Sequence, residues 1–305
     1  MTEASLKDYL KLHFIVFIWG FSAILGKLMS IPSGEVVFYR TLVSAVVLYF
    51  LLTYRKRDFA LGRKGVMKTM ATGFLMAAHW VLFFESARVA NISVCLAGIA
   101  TTTFWTSLIE PLFTLRRVRL FEVFIGLVVI AGLYVVFQFE FDNALGLTLA
   151  VISALLAAMF SVLNSQFTKV YPPFMITFYE MVGACGGVGL FLLVFQPFFM
   201  GQDFGLALLT ASDWLWLLLL ALVCTVYAVS ESIELMKRIS AFAVNLTINL
   251  EPVYGIVMAL LVFGESEEMS SGFYFGTLII LMAVLSYPVI NTRIKRKAIE
   301  AGVLR

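Results

Sequence analysis

The sequence predicts an all-α integral membrane protein with ten transmembrane helices, arranged as two inverted repeats of five helices each. Three observations support this fold class: an apolar composition, ten apolar runs of membrane-spanning length, and a motif that recurs 140 residues later. Hydrophobic residues make up 61% of the 305 residues, and charged residues make up only 13%. Because so little polar surface cannot cover a soluble globule of this size, lipid is expected to be the solvent.

The apolar runs contain roughly 20 residues each, which is the length that crosses a hydrocarbon core about 30 Å thick. They are predicted at residues 10–29, 33–54, 66–87, 91–114, 120–139, 144–168, 172–195, 213–236, 240–264 and 269–291. The first run is long enough to span and lacks a cleavage pattern of small residues, so it is expected to be a retained helix.

Basic residues are distributed unevenly between alternate predicted loops. On the side that carries the N-terminus lie 19 of the 22 Lys and Arg residues, while Lys27 and Arg88 lie on the other side and Arg40 lies within a helix. The loops of the other side carry acidic residues: Glu140, Asp142, Asp203, Glu265, Glu267 and Glu268. Because basic loops stay in the cytoplasm, the sequence predicts a multi-pass protein of the cell inner membrane with both termini cytoplasmic.

An internal repeat divides the chain. Residues 32–39 read PSGEVVFY and open the second predicted helix, and residues 172–179 read PPFMITFY and open the seventh. We therefore predict a first five-helix repeat over residues 1–141 and a second over 142–305, which ends in a basic cytoplasmic tail. Since five is odd, the second repeat must enter the membrane upside down. Inverted repeats are typical of secondary transporters that bind substrate near the midplane.

Three short motifs resemble those of a known family. Residues 18–21 read IWGF, residues 250–254 read LEPVY and residues 263–265 read FGE. Together with the five-plus-five plan, they resemble the EamA branch of the drug/metabolite transporter superfamily over nearly the whole chain. The resemblance implies a ten-helix secondary transporter, often an exporter of amino acids or related metabolites, with a central cavity between the halves.

The two halves differ where they are expected to meet the substrate. At a spacing of 150 residues, Glu251-Pro252 corresponds to Thr101-Thr102, and Glu110-Pro111 follows nine residues later. The residues at the centre of the molecule are therefore not duplicated.

Glu251 is the foremost candidate for function, because an ionisable side chain inside a bilayer costs several kcal/mol and is rarely retained without a role. It is predicted near the midplane, and Pro252 after it leaves a backbone carbonyl group without a donor. With Thr247 and Tyr254 on the same helical face, Glu251 is suited to bind a substrate ammonium group, a proton or a cation. The structural alternative is a protonated Glu251 that hydrogen-bonds a neighbouring helix.

Arg40 and Glu180 occupy equivalent places in the two repeats, directly after Tyr39 and Tyr179, and the two tyrosines are candidates for the substrate site as well. We expect both near the central cavity, at similar depths from opposite membrane faces. Arg40 is suited to bidentate binding of a substrate carboxylate, and Glu180 to an amine or a proton. Either residue could instead pair with another membrane residue and act as a gate or a helix clamp.

Three further residues are candidates for the lining of the cavity. His79 is predicted within the membrane beside Trp80, either as a proton relay or as a hydrogen-bonded packing residue. Trp80 and Trp105 could line an aromatic cavity or fill space facing lipid.

The remaining features argue against other function classes. No Gly-Lys-Ser phosphate loop is present, so ATP hydrolysis is not expected. The three cysteines lie far apart in the sequence, and no group of residues has the spacing of a catalytic or metal-binding site. The sequence therefore predicts no enzymatic activity, no metal site and no cofactor.

We therefore predict a secondary active transporter that exports small metabolites, such as amino acids or related compounds, by alternating access around a central cavity. Its partners would be the small-molecule substrate, membrane lipid, and a proton or a cation, but not nucleic acid. The alternatives are an importer or carrier of other organic anions, and a non-transporting membrane scaffold subunit.

Overall fold

The computed structural model describes residues 4–57, 59–114, 119–139, 141–195 and 206–300, and these residues contain helices but no strands. Their long helices are α1 (Leu6–Leu28), α2 (Ser33–Tyr54), α3 (Gly62–Val89), α4 (Ile92–Thr114), α5 (Leu120–Phe139), α6 (Ala144–Phe167), α7 (Pro173–Val194), α8 (Ala211–Leu235), α9 (Ala241–Glu267) and α10 (Ser271–Glu300). Each overlaps one predicted apolar run.

Length and composition allow eight of these helices to cross a membrane. The other two, α5 and α10, contain the shorter apolar stretches Leu120–Val136 and Ser271–Ala283. The all-α membrane class is therefore confirmed, while the number of ten spans stays a prediction.

The repeated prolines stand where the second helix of each half begins. Pro32 is the cap residue before α2, and Pro172 and Pro173 open α7. Proline suits the first turn of a helix because the backbone N–H that it lacks would have no partner there. The repeated motif thus sets the start of both helices.

Two helices are interrupted at matching places in the two halves. In α4 the α-helical segments Ile92–Ile99 and Thr102–Thr114 are separated by two turn residues, and in α9 Ala241–Ile248 and Glu251–Phe263 are separated in the same way. In α4, the hydroxyl group of Thr102 donates to the carbonyl oxygen of Ile99 at 2.7 Å. Such side-chain bonds compete with the helical backbone bonds. In α9, Pro252 directly follows the break.

Contacts between distant parts of the chain show on which of the two faces of the bundle each loop lies. On one, Arg238 of the α8–α9 loop donates a 2.8 Å hydrogen bond to Asp8, and Tyr179 donates one of 2.8 Å to the carbonyl oxygen of Phe59 in the α2–α3 loop. On the other, Lys27 pairs with Glu267 at 2.7 Å. We call the first the N-terminal face and the second the opposite face.

This sorting matches the uneven distribution of charge. The exposed Lys56 and Arg57 lie in a loop of the N-terminal face, while the exposed Glu265 and Glu268 lie at the opposite face. The acidic residues Glu140 and Asp203 lie outside the described residues. The assignment of the N-terminal face to the cytoplasm stays a prediction.

The helices pack in pairs that correspond between the two halves. Helix α2 packs against α7, α4 against α9, and α5 against α10, while α3 packs against α6 and α7 and α8 packs against α1 and α2. If each of the first five helices is exchanged with the helix five places later, every one of these contacts becomes another contact of the same set, as a two-fold relation between the halves requires. It supports the two-repeat interpretation, and the inverted orientation and the boundary after residue 141 stay predictions.

Glycine permits the closest approach between α3 and α7. A Cβ atom added to Gly183 would lie 2.3 Å from the carbonyl oxygen of Met70, and one added to Gly73 would lie 2.2 Å from that of Glu180. Small residues commonly allow membrane helices to pack this tightly. By contrast, a Cβ atom on Gly186, one turn further along α7, would have no neighbour within 4 Å.

We expect Gly183→Ala to destabilise the protein by about 1–3 kcal/mol, because the added methyl group forces α3 and α7 apart. Gly186→Ala is the matched control in the same helix and should be neutral or stabilising by roughly 0.5–1 kcal/mol, since alanine is the better helix former. Thermal unfolding of the purified proteins in one detergent measures both. Equal effects of the two substitutions would contradict the close contact at Gly183.

The predicted topology can be tested with single cysteines in a variant that lacks Cys95, Cys185 and Cys224. A membrane-impermeant maleimide added to intact cells should label Glu265→Cys but not Lys56→Cys, and both side chains are exposed. Lys56→Cys should react after the membrane is permeabilised. The reverse pattern would overturn the predicted orientation.

Candidate functional site

A central cavity of about 100 Å³ lies between the halves. Helices α1, α2, α3, α4, α6, α8 and α9 line it. Its polar lining consists of Ser22, Arg40, His79, Thr102, Ser161, Asn164, Ser232, Asn245 and Glu251, and its aromatic lining consists of Trp19, Trp80, Phe83 and Phe160. It extends from the level of Glu251 toward Met236 and Val244, near the ends of α8 and α9 at the N-terminal face. A concave site that combines apolar and aromatic walls with polar groups is typical of ligand binding.

Arg40 is the cationic group of the cavity. Its Nε donates a 2.6 Å hydrogen bond to the hydroxyl oxygen of Thr225, and its guanidinium carbon lies 3.8 Å from the centre of the Trp80 ring. The aromatic face stabilises the buried cation. No carboxylate forms an ion pair with Arg40 in the described part of the chain. The guanidinium group is therefore oriented but not neutralised.

Glu251 is the carboxyl group of the cavity. It is the first residue after the break in α9 and is only 6% exposed, although it belongs to the cavity lining. The hydrogen bond to a neighbouring helix that the structural alternative requires is not formed with any described residue. The carboxyl group is therefore available to a ligand.

His79 occupies the wall between α3 and α6. Its Nδ1 lies 3.0 Å from the carbonyl oxygen of Ser153 and 2.8 Å from the hydroxyl oxygen of the same residue. Its ring packs edge-on against Phe160, with the ring centres 5.3 Å apart. These contacts hold the imidazole against α6, so His79 presents one ring edge to the cavity.

Amide side chains connect the interrupted helices beside the cavity. Asn245 of α9 donates to the hydroxyl oxygen of Thr106 at 2.8 Å and accepts from Ser161 at 3.1 Å. Asn249, at the break in α9, donates to the hydroxyl oxygen of Thr103 at 2.7 Å. Sequence reasoning missed these residues, although asparagine in an apolar run was a signal that could have identified them.

The repeated tyrosines lie outside the cavity lining and bind loops of the other half. The hydroxyl group of Tyr39 donates to the carbonyl oxygen of Ala207, just before α8, at 3.3 Å. Tyr179 makes the equivalent contact with Phe59, just before α3. In this conformation the two tyrosines therefore connect the halves at opposite faces of the bundle.

Four other candidates also lie outside the cavity lining. Thr247 donates to the carbonyl oxygen of Ala243 at 2.9 Å, and Tyr254 packs edge-on against the ring of Phe17. Trp105 packs against Phe104, and its buried Nε1 has no hydrogen-bond partner among the described residues. Glu180 is fully buried in α7. Of the predicted site residues, the structure thus brings Arg40, His79, Trp80 and Glu251 together.

Ion pairs hold the bundle together at both ends of the cavity. At the opposite face, the fully buried Glu267 pairs with Lys27 and accepts hydrogen bonds from the backbone N–H groups of Ile92 and Ser93 at 3.2 and 3.1 Å. At the N-terminal face, Lys11 of α1 pairs with Glu231 of α8. The central cavity thus lies between two sets of contacts that tie α1 to other helices.

The sequence pattern of the EamA-like transporter family matches the chain twice, over residues 9–138 and 144–290. The chain belongs to this family. A transporter of Bacillus subtilis (strain 168), the uncharacterized transporter YxxF, is 21% identical over 268 residues, which are 85% of this chain and 83% of that protein. A crystal structure at 15% sequence identity has a TM-score of 0.69 and covers 95% of this chain and 99% of its own. The latter likeness concerns the fold alone. Membrane transport is the function that the family indicates.

The position of the cavity predicts a difference between two adjacent alanines of α6. Ala157 lines the cavity, whereas Ala158 is fully buried and does not. In a variant without native cysteines, Ala157→Cys should react much faster with a small water-soluble thiol reagent than Ala158→Cys. Reaction rates of the purified proteins measure this. Equal rates would show that the cavity is closed to water, as expected for a scaffold.

Proposed function

We propose that this protein is a secondary transporter that exports small zwitterionic metabolites, such as amino acids or related compounds, by alternating access. The observation that carries this proposal is the presence of one cation, Arg40, and one carboxyl group, Glu251, in the lining of a single cavity. Arg40 has no ion-pair partner among the residues that the structure describes. A zwitterion brings one charge of each sign and so complements both groups.

In this proposal Arg40 binds the substrate carboxylate. A guanidinium group can donate two parallel hydrogen bonds to a carboxylate, and Thr225 and Trp80 already orient it. Because the group is held before the substrate arrives, little conformational entropy is lost on binding.

Glu251 binds the substrate ammonium group or, in its absence, a proton. The break in α9 places Glu251 at the start of a helical segment and brings the amide of Asn249 within reach of α4. Transporters commonly bind substrate at such interrupted helices near the midplane. The tryptophan and phenylalanine rings of the lining supply apolar surface for the rest of the substrate.

Alternating access requires that contacts at one face break while those at the other form. The pairs Lys27–Glu267 and Lys11–Glu231, at opposite faces, are suited to this exchange because both join α1 to the second half. Gradients of substrate or protons would supply the energy. The outward direction is proposed from the resemblance to exporters in the superfamily.

The proposed roles of Arg40 and Glu251 predict which group of the ligand each residue binds. Binding is measured as thermal stabilisation of the purified protein by amino acids, by their amides, which lack the carboxylate, and by their N-acetyl derivatives, which lack the ammonium group. Arg40→Gln should weaken binding of the free amino acid by roughly tenfold to a hundredfold, as expected for loss of a charged hydrogen bond, and should change binding of the amide little. Glu251→Gln should do the same for the free acid but spare the N-acetyl derivative.

The matched control is Glu122→Gln. Glu122 of α5 is buried, pairs with Arg119 at 3.5 Å and does not line the cavity, so its substitution should leave binding unchanged. If folded Arg40→Gln and Glu251→Gln proteins bind and transport every compound as the wild type does, the proposed site is wrong.

The transport step has its own test. In proteoliposomes, Glu251→Gln should lose gradient-driven accumulation, because the substituted amide cannot titrate or neutralise an ammonium group. Uptake of a radiolabelled amino acid mixture with and without a pH gradient measures the effect. Unchanged gradient-driven transport across pH in this variant would contradict a coupling role of Glu251.

A further inference from the structure

We propose that Glu180 and Asn164 form a proton-binding site beside the cavity, separate from the groups that bind substrate. Both carboxyl oxygens of Glu180 are buried and have no hydrogen-bond partner among the described residues, and the same is true of the side-chain oxygen of Asn164. The amide group of Asn164 on α6 lies next to the Glu180 carboxyl group. This inference assumes transport as proposed above and adds the place where a coupled proton is held.

A bound proton removes the buried charge at this place. An ionised carboxylate that is fully buried without a partner costs several kcal/mol. A protonated carboxyl group is neutral and gains an O–H donor, which can bond the free oxygen of Asn164. One proton therefore neutralises Glu180 and gives the buried oxygen of Asn164 a donor.

The surrounding helices supply no charge that could replace the proton. Helices α2, α3 and α8 pack against α7. Their charged side chains and His79 make contacts elsewhere or are exposed. Arg40 stacks on Trp80, His79 contacts Ser153, Glu231 pairs with Lys11, and Glu234 pairs with Lys237. Glu35 accepts from the backbone N–H of Ala207, Arg88 donates to the carbonyl oxygen of Gly26 and interacts with the charge of Glu85, Asp213 accepts from Ser30, and Arg63, Lys64 and Lys68 are exposed. No described cation pairs with Glu180.

The packing also disfavours a metal cation. Three unpartnered oxygens are available, whereas hard cations such as Mg²⁺ and Ca²⁺ take six or more oxygen ligands. A proton requires no coordination shell.

Asn164 connects this site to the cavity. It belongs to the cavity lining, whereas Glu180 does not. A substrate at Arg40 and Glu251 would therefore not displace the proton directly. The proton would be released when movement of α6 against α7 opens the contact between Asn164 and Glu180 to water in the cavity.

Infrared difference spectroscopy of the purified full-length protein without substrate tests the protonation. At neutral pH the wild type should show the carbonyl stretching band of a neutral carboxyl group that Glu180→Gln lacks. Glu122→Gln should not remove such a band, because Glu122 is buried beside Arg119. Asn164→Leu should shift the Glu180 band to higher frequency, since the O–H group loses its acceptor. Absence of a band assigned to Glu180 would show an ionised carboxylate and overturn the proposal.

Transport by the same variants tests the coupling. Glu180→Gln mimics the protonated state and should retain substrate exchange in proteoliposomes while losing accumulation driven by a pH gradient. Wild-type accumulation in Glu180→Gln, or dependence of wild-type accumulation on Na⁺ instead of pH, would refute proton coupling through Glu180. If the wild type transports nothing, the proposed function fails, and the infrared result still decides whether Glu180 holds a proton.

Discussion

The cost of placing a charge in an apolar interior constrains the whole structure. Different charged side chains of the bundle are stabilised in different ways. Glu267 is paired with Lys27 and capped by backbone N–H groups, so it can be fully buried at the end of α9. Arg40 is stabilised by an aromatic ring and a single hydroxyl group, without a carboxylate. Glu251 is placed at a cavity. The residues that are least compensated by the protein are thus the ones that a ligand can compensate.

The interruptions of α4 and α9 connect this electrostatic constraint to the fold. A broken helix leaves backbone groups without their usual partners, and such groups persist in a membrane only where protein or water satisfies them. Here the hydroxyl groups of Thr101 and Thr102 donate to backbone carbonyl oxygens at the break in α4. The amides of Asn245 and Asn249 bond threonine hydroxyl groups of α4 and so join the two interrupted helices. The same network fixes the segment that begins with Glu251. Polar residues that hold the fold and residues that can bind substrate are therefore neighbours on the same helices.

Near-equivalent halves would allow the proposed exchange between two states. The repeated tyrosines join each half to a loop of the other at opposite faces, and ion pairs of α1 reinforce the contacts at both ends. Close glycine contacts between α3 and α7 make these helices move together, because tightly packed backbones cannot slide far without clashing. Exchange between the halves would therefore occur through whole helices, with the cavity and its charges remaining between them.

The sequence alone determined the membrane class, the helix order and the family, and it identified Arg40 and Glu251 as candidates, because composition, run length, repeat spacing and charges in apolar segments are local properties of the chain. Only the tertiary structure decided which candidates share the cavity. Tyr39 and Tyr179 were expected at the substrate, but each reaches a loop of the other half. The sequence also could not predict that the carboxyl group of Glu180, next to Asn164, would have no hydrogen-bond partner among the described residues. Repeat position fixes depth in the membrane, whereas the direction of a side chain depends on which helix packs against it.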